Sequence, residues 1–206
     1  MSRMSDFISR GFMRRRRAPD DVADRIPPGQ YYEPGFPVLT AGPTPSIAAE
    51  DWAMRVDGMV GSEREWSWDE FHELPYEDIP CDIHCVTKWS KLGTTFRGVS
   101  VDVLLDGADP QGAYAMAYSY GGYTTNVPLA DLTGGKAWVV TEHEEEPLPR
   151  EHGGPARLLV PHLYFWKSAK WVAGLRVMDH DEPGFWEQNG YHMRGDPWKE
   201  ERYWND

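Results

Sequence analysis

The sequence predicts an α+β domain in which a mixed sheet is combined with short helices and long irregular connections. Apolar and polar residues alternate over several short stretches, which is the period of a half-buried strand. Helical periods are short, and 20 glycines and 17 prolines divide the chain into brief segments, since both residues interrupt regular structure. Strands and short helices mixed in this way are typical of an α+β domain.

The composition indicates one globular domain over residues 31–206, preceded by a flexible polar segment over residues 1–30. Apolar residues make up 40% and aromatic residues 13% of the 206 residues, which is enough to fill a core. Residues 1–30 offer few side chains to bury. Residues 182–206 are aromatic but interrupted by proline and glycine, so we expect an irregular arm that wraps around the core.

The charge argues against a nucleic-acid-binding protein, because phosphate binding requires a concentrated positive surface and the formal net charge is -12. We interpret the basic run Arg14–Arg17 as a solvated tail, with a docking role as the alternative. Acidic residues follow this run, whereas an export signal would continue with an apolar stretch. No apolar stretch approaches the roughly 18 residues of a membrane span. We therefore expect a cytoplasmic protein without a membrane span.

The first half of the domain should contain an extended segment, a strand, a short amphipathic turn and a short helix. Residues 31–45 are too rich in proline and glycine for a helix. In "WAMRVDGMV", Trp52, Met54 and Val56 share one face of a strand that ends at Asp57-Gly58. "WSWDEFHELP" predicts a short amphipathic turn with an aspartate or serine as its cap and Pro75 as its end. "FRGVSVDVLLDGA" predicts a turn at Arg97-Gly98, then a helix whose apolar face is Val101, Leu104 and Leu105.

The second half should be mainly strands. "GGYTTNVPLADL" predicts a strand, a turn and a short helix, and "AWVVTEHEEEPLP" predicts a strand followed by an acidic loop. "ARLLVP" and "KWVAGLRVMDH" are also predicted strands. The last of these places Trp171, Ala173, Leu175 and Val177 on one face.

The stretch "CDIHCVTKWS", residues 81–90, contains both cysteines of the chain. A disulfide between them is disfavoured in a cytosolic protein. A zinc site would need about four ligands, whereas Cys81, His84 and Cys85 supply three. Two buried structural cysteines are a third interpretation. The fourth is a reactive or metal-binding thiolate, because His84 and Lys88 nearby would lower the pKa of a thiol.

Five motifs follow one another between about Phe36 and Val177: "HCVTKWS", "FRGVSVDVLL", "GGYTTNVPL", "HGGPARLLVP" and "WKSAKW". In order and spacing they resemble the molybdenum-cofactor domain of the sulfite oxidase family. The likeness is greatest to its small single-domain prokaryotic members, which include the catalytic subunit of a methionine-sulfoxide reductase. This resemblance implies an oxidoreductase that binds molybdopterin and molybdenum. It also implies that Cys85 is the molybdenum ligand and that Cys81 is a packing residue.

The resemblance further implies a set of cofactor-binding residues. They are Leu39, Thr40, His84, Cys85, Lys88, Asp102, His152, Arg157, Lys167, Ser168 and Lys170. The cofactor carries a phosphate and a polar pterin, so it requires cations and hydrogen-bond donors, which Arg157 and Lys170 can supply. Leu39-Thr40 would contribute backbone contacts, since the Asn-His pair often found there in the family is missing.

Without the resemblance, the same residues have ordinary interpretations. Arg157 and Lys170 would be exposed charges on strands, Asp102 a helix cap, and His152 a loop residue beside two glycines. For Tyr123, the resemblance implies a catalytic role near the oxygen that moves between metal and substrate. The alternative for Tyr123 is an aromatic residue in the core of a strand.

Departures from the family pattern bear on the substrate. Sulfite oxidases place arginines around the metal, at positions that here read Trp89-Ser90 and Lys167. Fewer fixed cations favour a less charged substrate, because desolvating a dianion without a paired charge is costly. We therefore expect two-electron oxygen-atom transfer involving a small S- or N-oxide. The alternatives are sulfite oxidation, a metal-free binding domain of the same fold, and a structural zinc domain.

The chain contains no C-x-x-C-H haem motif and no flavin motif. We therefore expect an unidentified electron-transfer partner. The acidic stretches around Glu144 and at residues 179–182 would steer a basic partner, although solubility explains them equally well.

Overall fold

The computed structural model describes residues 20–206, so the basic run Arg14–Arg17 lies outside the described part of the chain. Two sheets carry the fold. The strands are β1 (Tyr31–Tyr32), β2 (Ala53–Gly58), β3 (Arg64–Ser67), β4 (Tyr76–His84), β5 (Trp89–Ser100), β6 (Tyr114–Ser119), β7 (Thr124–Pro128), β8 (Trp138–His143), β9 (Glu146–Pro147), β10 (Arg157–Leu159) and β11 (Val172–Met178). The α-helices are α1 (Trp68–His72), α2 (Val101–Leu105), α3 (Leu129–Leu132) and α4 (Phe185–Gln188).

The first sheet is organised around β5. Its order is β1-β5-β8-β10, while β4 pairs with β5 and β9 pairs with β8. The predicted turn at Arg97-Gly98 is wrong, because both residues lie inside β5, where the pairing with β8 shifts register between them. A Cβ atom at Gly98 would lie 2.2 Å from the carbonyl oxygen of Val139. The glycine therefore permits close approach of two strands.

The second sheet has the order β3-β2-β11-β6-β7. Strand β11 pairs parallel to β2 and antiparallel to β6, so the sheet is mixed, as predicted. In β2, Met54 and Val56 are fully buried, which confirms the predicted alternation. In β11 the predicted face is wrong at its start. Trp171 precedes the strand with a φ of 53°, and the register shifts between Val172 and Gly174.

Helices α1 and α2 begin where the sequence predicts them, whereas α4 lies in the C-terminal segment for which the sequence predicts an irregular arm. Ser67 caps α1 by accepting a hydrogen bond from the Glu70 N–H, and the Glu70 side chain accepts one from the Ser67 N–H. Helix α2 follows a Ser100 cap and buries all three predicted apolar residues. Helix α3 follows β7 directly, so the predicted turn between them is absent. None of the helices in residues 20–206 is long and apolar enough to cross a membrane.

Two apolar clusters fill the interior. The larger includes Trp52, Phe71 and Leu104 and takes residues from both sheets, such as Val56 of β2 and Val139 of β8. The smaller includes Phe96, Tyr164 and Cys85 and lies against the first sheet. The predicted metal ligand is therefore part of the wall of a packed core.

Both ends of the described chain lie on the domain. Pro27 is buried, and Arg25 forms an ion pair with Asp82 on β4. At the other end, Tyr191 forms an isolated bridge with Tyr203, and Arg202 is buried. Residues 20–30 thus contact the domain, and the division of the chain at residue 30 stays a prediction.

Candidate active site

Cys85 lies in the tight turn that joins β4 to β5. The Cys85 N–H donates to the carbonyl oxygen of Trp89 at 2.9 Å, and the Lys88 N–H donates to that of Cys85 at 2.9 Å. Lys88 adopts a positive φ of 79°, which closes the turn. Cys85 is 7% exposed and lies on the wall of a cavity that is also lined by residues from 36–45, from the β10–β11 connection and from 185–191.

This cavity has a volume of about 550 Å³. Eight of the predicted site residues line it. They are Leu39, Thr40, Cys85, Tyr123, His152, Arg157, Ser168 and Lys170. They come from distant parts of the sequence, and the fold brings them together around the single thiol.

The thiol of Cys85 accepts a hydrogen bond from the hydroxyl of Thr87 at 3.1 Å. Burial raises the pKa of Cys85, while that hydrogen bond and the positive charges of Arg202 and Lys170 act in the opposite direction. The expectation that His84 and Lys88 lower this pKa is wrong. Burial lowers the pKa of His84 itself to about 4, so its imidazole is neutral at pH 7, and Lys88 is exposed.

Arg157 places a buried positive charge on the cavity wall. Its guanidinium is 1% exposed and donates to the carbonyl oxygens of His152 at 2.8 Å and Ser168 at 2.6 Å. It lies 4.0 Å above the ring of Phe165. Burial lowers the pKa of Arg157 to about 9. No aspartate or glutamate is among the described residues that line the cavity, so this charge has no carboxylate partner there.

Lys170 and His152 lie beside Arg157. The ammonium of Lys170 donates to the carbonyl oxygens of Leu39 at 2.7 Å and Glu151 at 2.5 Å, and burial lowers its pKa to about 8. The His152 ring stacks on Phe36 with centroids 3.8 Å apart. Burial lowers the pKa of His152 to about 4, and its Nδ1 is buried without a hydrogen-bond partner. A free polar atom in a buried ring suits a bound ligand.

Tyr123 and Ser168 complete the polar lining. The Tyr123 hydroxyl donates to the carbonyl oxygen of Trp166 at 2.7 Å, and burial raises the pKa of this phenol well above its ordinary value. The Ser168 hydroxyl accepts a hydrogen bond from the Val160 N–H at 2.8 Å. Both side chains are therefore held in fixed positions at the cavity.

Four predicted residues lie elsewhere. The Lys167 ammonium is completely buried against Glu187, at 2.6 Å, and is not among the lining residues. The Asp102 carboxylate accepts hydrogen bonds from the Gly134 and Gly135 N–H groups at 2.9 and 2.8 Å. Asp102 is not the cap of α2 either, since Ser100 has that role.

The remaining two are His84 and Lys88. The His84 Nδ1 is hydrogen-bonded to the Ser90 hydroxyl at 2.8 Å, and Lys88 is on the outside of the turn. The structure therefore does not bring Lys167, Asp102, His84 or Lys88 to the cavity.

Sequence reasoning did not identify most of the aromatic lining. These residues are Phe36, Trp89, Phe165, Trp166, Trp171, Phe185, Trp186 and Tyr191. Several of them lie in the irregular C-terminal arm and in loops, where no periodicity shows which way a side chain points. The high content of aromatic residues in those segments was the sequence feature that could have indicated this lining.

Two interpretations of the cysteines are wrong. Both thiols are free, which excludes the local disulfide. No group of three or more histidine, cysteine, aspartate or glutamate side chains in residues 20–206 could hold a metal ion, which contradicts the zinc site. Cys81 is partly buried and packs against the smaller apolar cluster, as expected of a packing residue.

A model of the family described as "Oxidoreductase molybdopterin binding domain" matches residues 41–186. The chain is 40% identical to the uncharacterized oxidoreductase YuiH of Bacillus subtilis, covering 89% of this chain and 94% of that protein. It is 28% identical to the putative protein-methionine-sulfoxide reductase subunit YedZ1 of Azospira oryzae, covering 72% of this chain and 57% of that one.

More distant likenesses agree. The mitochondrial sulfite oxidase of Drosophila melanogaster is 27% identical, and the match covers 79% of this chain and 34% of that protein. The crystal structure of the sulfane dehydrogenase SoxCD from Paracoccus pantotrophus has a TM-score of 0.61 and 20% identity, over 66% of this chain and 40% of that one. At this identity the structure shows a shared fold.

The cavity fits the cofactor of this family. Molybdopterin has a phosphate and a polar pterin, and the cavity supplies an unpaired guanidinium at Arg157, an ammonium at Lys170 and an unpartnered ring nitrogen at His152. A single thiol, Cys85, is available as a soft ligand for molybdenum. The chain thus belongs to the molybdopterin-binding oxidoreductase family.

Proposed function

We propose that this domain reduces a small, uncharged S- or N-oxide by oxygen-atom transfer. For a sulfoxide, the balanced reaction consumes two electrons and two protons and yields a thioether and water. The observation that carries the proposal is the distribution of charge around the cavity. Lys167, which could have offered a cation to an anionic substrate, is neutralised by Glu187 outside the cavity lining.

Cys85 is the proposed molybdenum ligand, and when bound the molybdenum cofactor supplies two-electron oxygen-atom transfer. Arg157, Lys170 and His152 would hold the anionic and polar parts of the cofactor, because they provide the polar groups in the lining that lack an acidic partner. Leu39 contributes through its backbone, since its carbonyl oxygen fixes the Lys170 ammonium.

An aromatic wall is the proposed contact for the apolar part of the substrate. The rings of Trp186 and Tyr191 stack with centroids 4.9 Å apart, and Tyr191 meets Trp166 edge-on at 5.0 Å. These rings bring no cation into the cavity. With Arg157 and Lys170 assigned to the cofactor, a dianion such as sulfite would lose its hydration at this wall without gaining a paired charge, whereas a neutral oxide loses far less.

Tyr123 is the proposed hydrogen-bond donor to the substrate oxygen. Its phenol stays protonated because burial raises its pKa. The hydroxyl now donates to the carbonyl oxygen of Trp166, so donation to a substrate requires it to rotate away from that acceptor. The two electrons would come from a separate redox partner.

The experiment begins with protein expressed in a host that makes the cofactor, and measures molybdenum and pterin per chain. A reduced viologen dye then serves as electron donor for methyl phenyl sulfoxide and trimethylamine N-oxide, and ferricyanide as acceptor for sulfite. We expect stoichiometric cofactor and turnover of at least one oxide. Rapid sulfite oxidation without oxide reduction would contradict the substrate class, and folded protein without molybdenum or pterin would contradict the enzyme.

Two cysteine variants test the ligand. Cys85→Ser should lose the parent metal spectrum and the activity, because an alkoxide is a poorer ligand than a thiolate for a soft centre. Cys81→Ala is the matched control and should retain molybdenum, since Cys81 belongs to the apolar packing. If the two variants behave alike, the assignment of Cys85 is wrong.

A further inference from the structure

We propose that Arg202 is a positioning residue for Cys85, which fixes the turn that carries the thiol and sets a buried positive charge beside it. The inference rests on the proposed role of Cys85 as molybdenum ligand. Arg202 belongs to the C-terminal arm and lies 117 positions after Cys85, so only the fold brings the two together.

The guanidinium of Arg202 joins two segments. It donates to the carbonyl oxygen of Val86, the residue after Cys85, at 3.2 Å, and to that of Pro28 at 3.1 Å. It is 7% exposed and lies 5.0 Å above the ring of Tyr164. The planar guanidinium holds two carbonyl groups at once in a fixed geometry. A lysine ammonium on its flexible side chain would fix their positions less strictly.

The N-terminal segment holds two further carbonyl groups of the same turn. The Gln30 side-chain amide donates to the carbonyl oxygen of Cys85 at 3.0 Å, and the Tyr31 N–H donates to that of Lys88 at 2.8 Å. The carbonyl oxygens of Cys85, Val86 and Lys88 therefore all accept hydrogen bonds from outside the turn. The turn includes a residue at positive φ, so these external bonds stabilise a conformation that is otherwise unfavourable.

The charge of Arg202 is only weakly compensated. Its carboxylate contact is Glu200 at 3.5 Å, and the Glu200 side chain is 51% exposed, so solvent screens the pair. A buried positive charge stabilises negative charge nearby more than it would in water. It should therefore favour the reduced, more electron-rich state of a centre bound to Cys85.

The matched family region does not include this arrangement. The family model covers residues 41–186, whereas Gln30 and Arg202 lie before and after it. The support for the ligand turn is thus supplied by the two flanking segments of this chain.

The test compares Arg202→Met and Arg202→Lys with Arg194→Met. Arg194 is the matched control, since it lies in the same arm, pairs with Asp131 at 3.0 Å and is 40% exposed. The first measurement is amide hydrogen exchange of residues 81–90 in cofactor-free protein. We expect Arg202→Met to speed exchange in the turn roughly tenfold, the effect of losing a charged hydrogen bond. Arg194→Met should leave it unchanged.

The second measurement, on cofactor-loaded protein, is the Mo(V) electron paramagnetic resonance spectrum and the midpoint potential. Arg202→Met should shift the spectrum and lower the potential, because the charge that favours the reduced state is lost. Arg202→Lys should restore most of the potential but not the slow exchange. If Arg202→Met does not fold, Arg202→Lys still tests the inference by its faster exchange.

Several outcomes would overturn the inference. Parent-like exchange in both Arg202 variants would show that Arg202 does not hold the turn. Faster exchange with an unchanged spectrum and potential would reduce Arg202 to a general stabilising role. Cys85→Ser separates these failures from failure of the proposed function: a parent-like spectrum in that variant would show that Cys85 is not the ligand, whatever Arg202 does.

Discussion

Lys167 and Glu187 form an ion pair with 2.6 Å between nitrogen and oxygen, and neither side chain is exposed at all. The same Glu187 oxygen accepts hydrogen bonds from the Trp166 ring N–H at 2.8 Å and the Thr125 hydroxyl at 3.0 Å. One carboxylate therefore fixes α4, β7 and the segment Phe165–Lys167, and both α4 and that segment contribute residues to the cavity lining. The pair removes a cation from the site and shapes its wall.

Glu187→Gln should lower the free energy of unfolding by about 3–5 kcal/mol, because it leaves the Lys167 charge buried without a counter-charge. Urea denaturation of cofactor-free protein measures this. Glu65→Gln is the control, since Glu65 pairs with Arg55 at 3.1 Å on the surface and its loss should change stability by less than about 1 kcal/mol. Equal effects of the two substitutions would show that the buried pair is unimportant.

Arg157→Met should weaken cofactor retention by roughly 10- to 100-fold, the effect of losing charged hydrogen bonds. The buried guanidinium has no carboxylate in the lining, so the anionic cofactor is its natural counter-charge. Molybdenum and pterin per chain, followed during dialysis, measure retention. Lys136→Met, which removes an exposed cation bonded to the Ala130 carbonyl oxygen, should have no effect. Parent-like retention in Arg157→Met would contradict the cofactor assignment.

Acid should destabilise the cofactor-free protein through His152. Burial lowers the pKa of His152 from 6.5 to about 4, assisted by the positive charges of Arg157 and Lys170 and of a protonated His143, and opposed by Glu151. Between those pH values the unfolded chain binds more protons than the folded one. The stability contributed by the neutral imidazole is therefore present above pH 6.5 and is lost as the pH falls toward 4.

Unfolding free energies of parent and His152→Gln, measured from pH 7 to pH 4, check this sign. The variant should lose less stability across the window. Some slope should remain, because burial also lowers the pKa of His84 to about 4. A parent and a variant with the same pH slope would show that His152 is not neutral in the folded protein.

Gly153→Ala should destabilise the protein and disturb the cavity. Gly153 has a φ of 110°, and a Cβ atom there would lie 3.0 Å from the backbone Cα of Lys170 and 3.1 Å from the Cβ of Arg157. Gly134→Ala is the control, with a φ of 73° and no atom within 4 Å of its Cβ position. The control should lose about 1–2 kcal/mol for the positive φ alone, measured by urea denaturation.

Gly153→Ala should lose more than this, and it should also retain less molybdenum, because Lys170 and Arg157 must move. The same stability and retention in the two alanine variants would mean that the space beside Gly153 is not restrictive.

Local sequence patterns were sufficient to predict a strand or helix where the interactions that form it lie within the same segment. Strand β2 is readable because its alternating residues report which face is buried, and α1 because its serine cap and Glu70 act within one turn. Strands β4 and β6 were not identified. Strand β4 contains a proline and acidic residues, and β6 is apolar at nearly every position, so the alternating burial of β6 is not visible in its sequence. The register shifts in β5 and β11 depend on partner strands, and no single segment records them.

The sequence by itself determined the family, the α+β class and eight residues that line the cavity. The order and spacing of the motifs can be read without knowing which residues are in contact. Only the tertiary structure decided the charge state of the site. Lys167 and Asp102 carry the expected charges, but one is paired with Glu187 and the other holds backbone N–H groups. Whether a charge serves a ligand or the fold depends on what is buried beside it, and burial is a property of the whole chain.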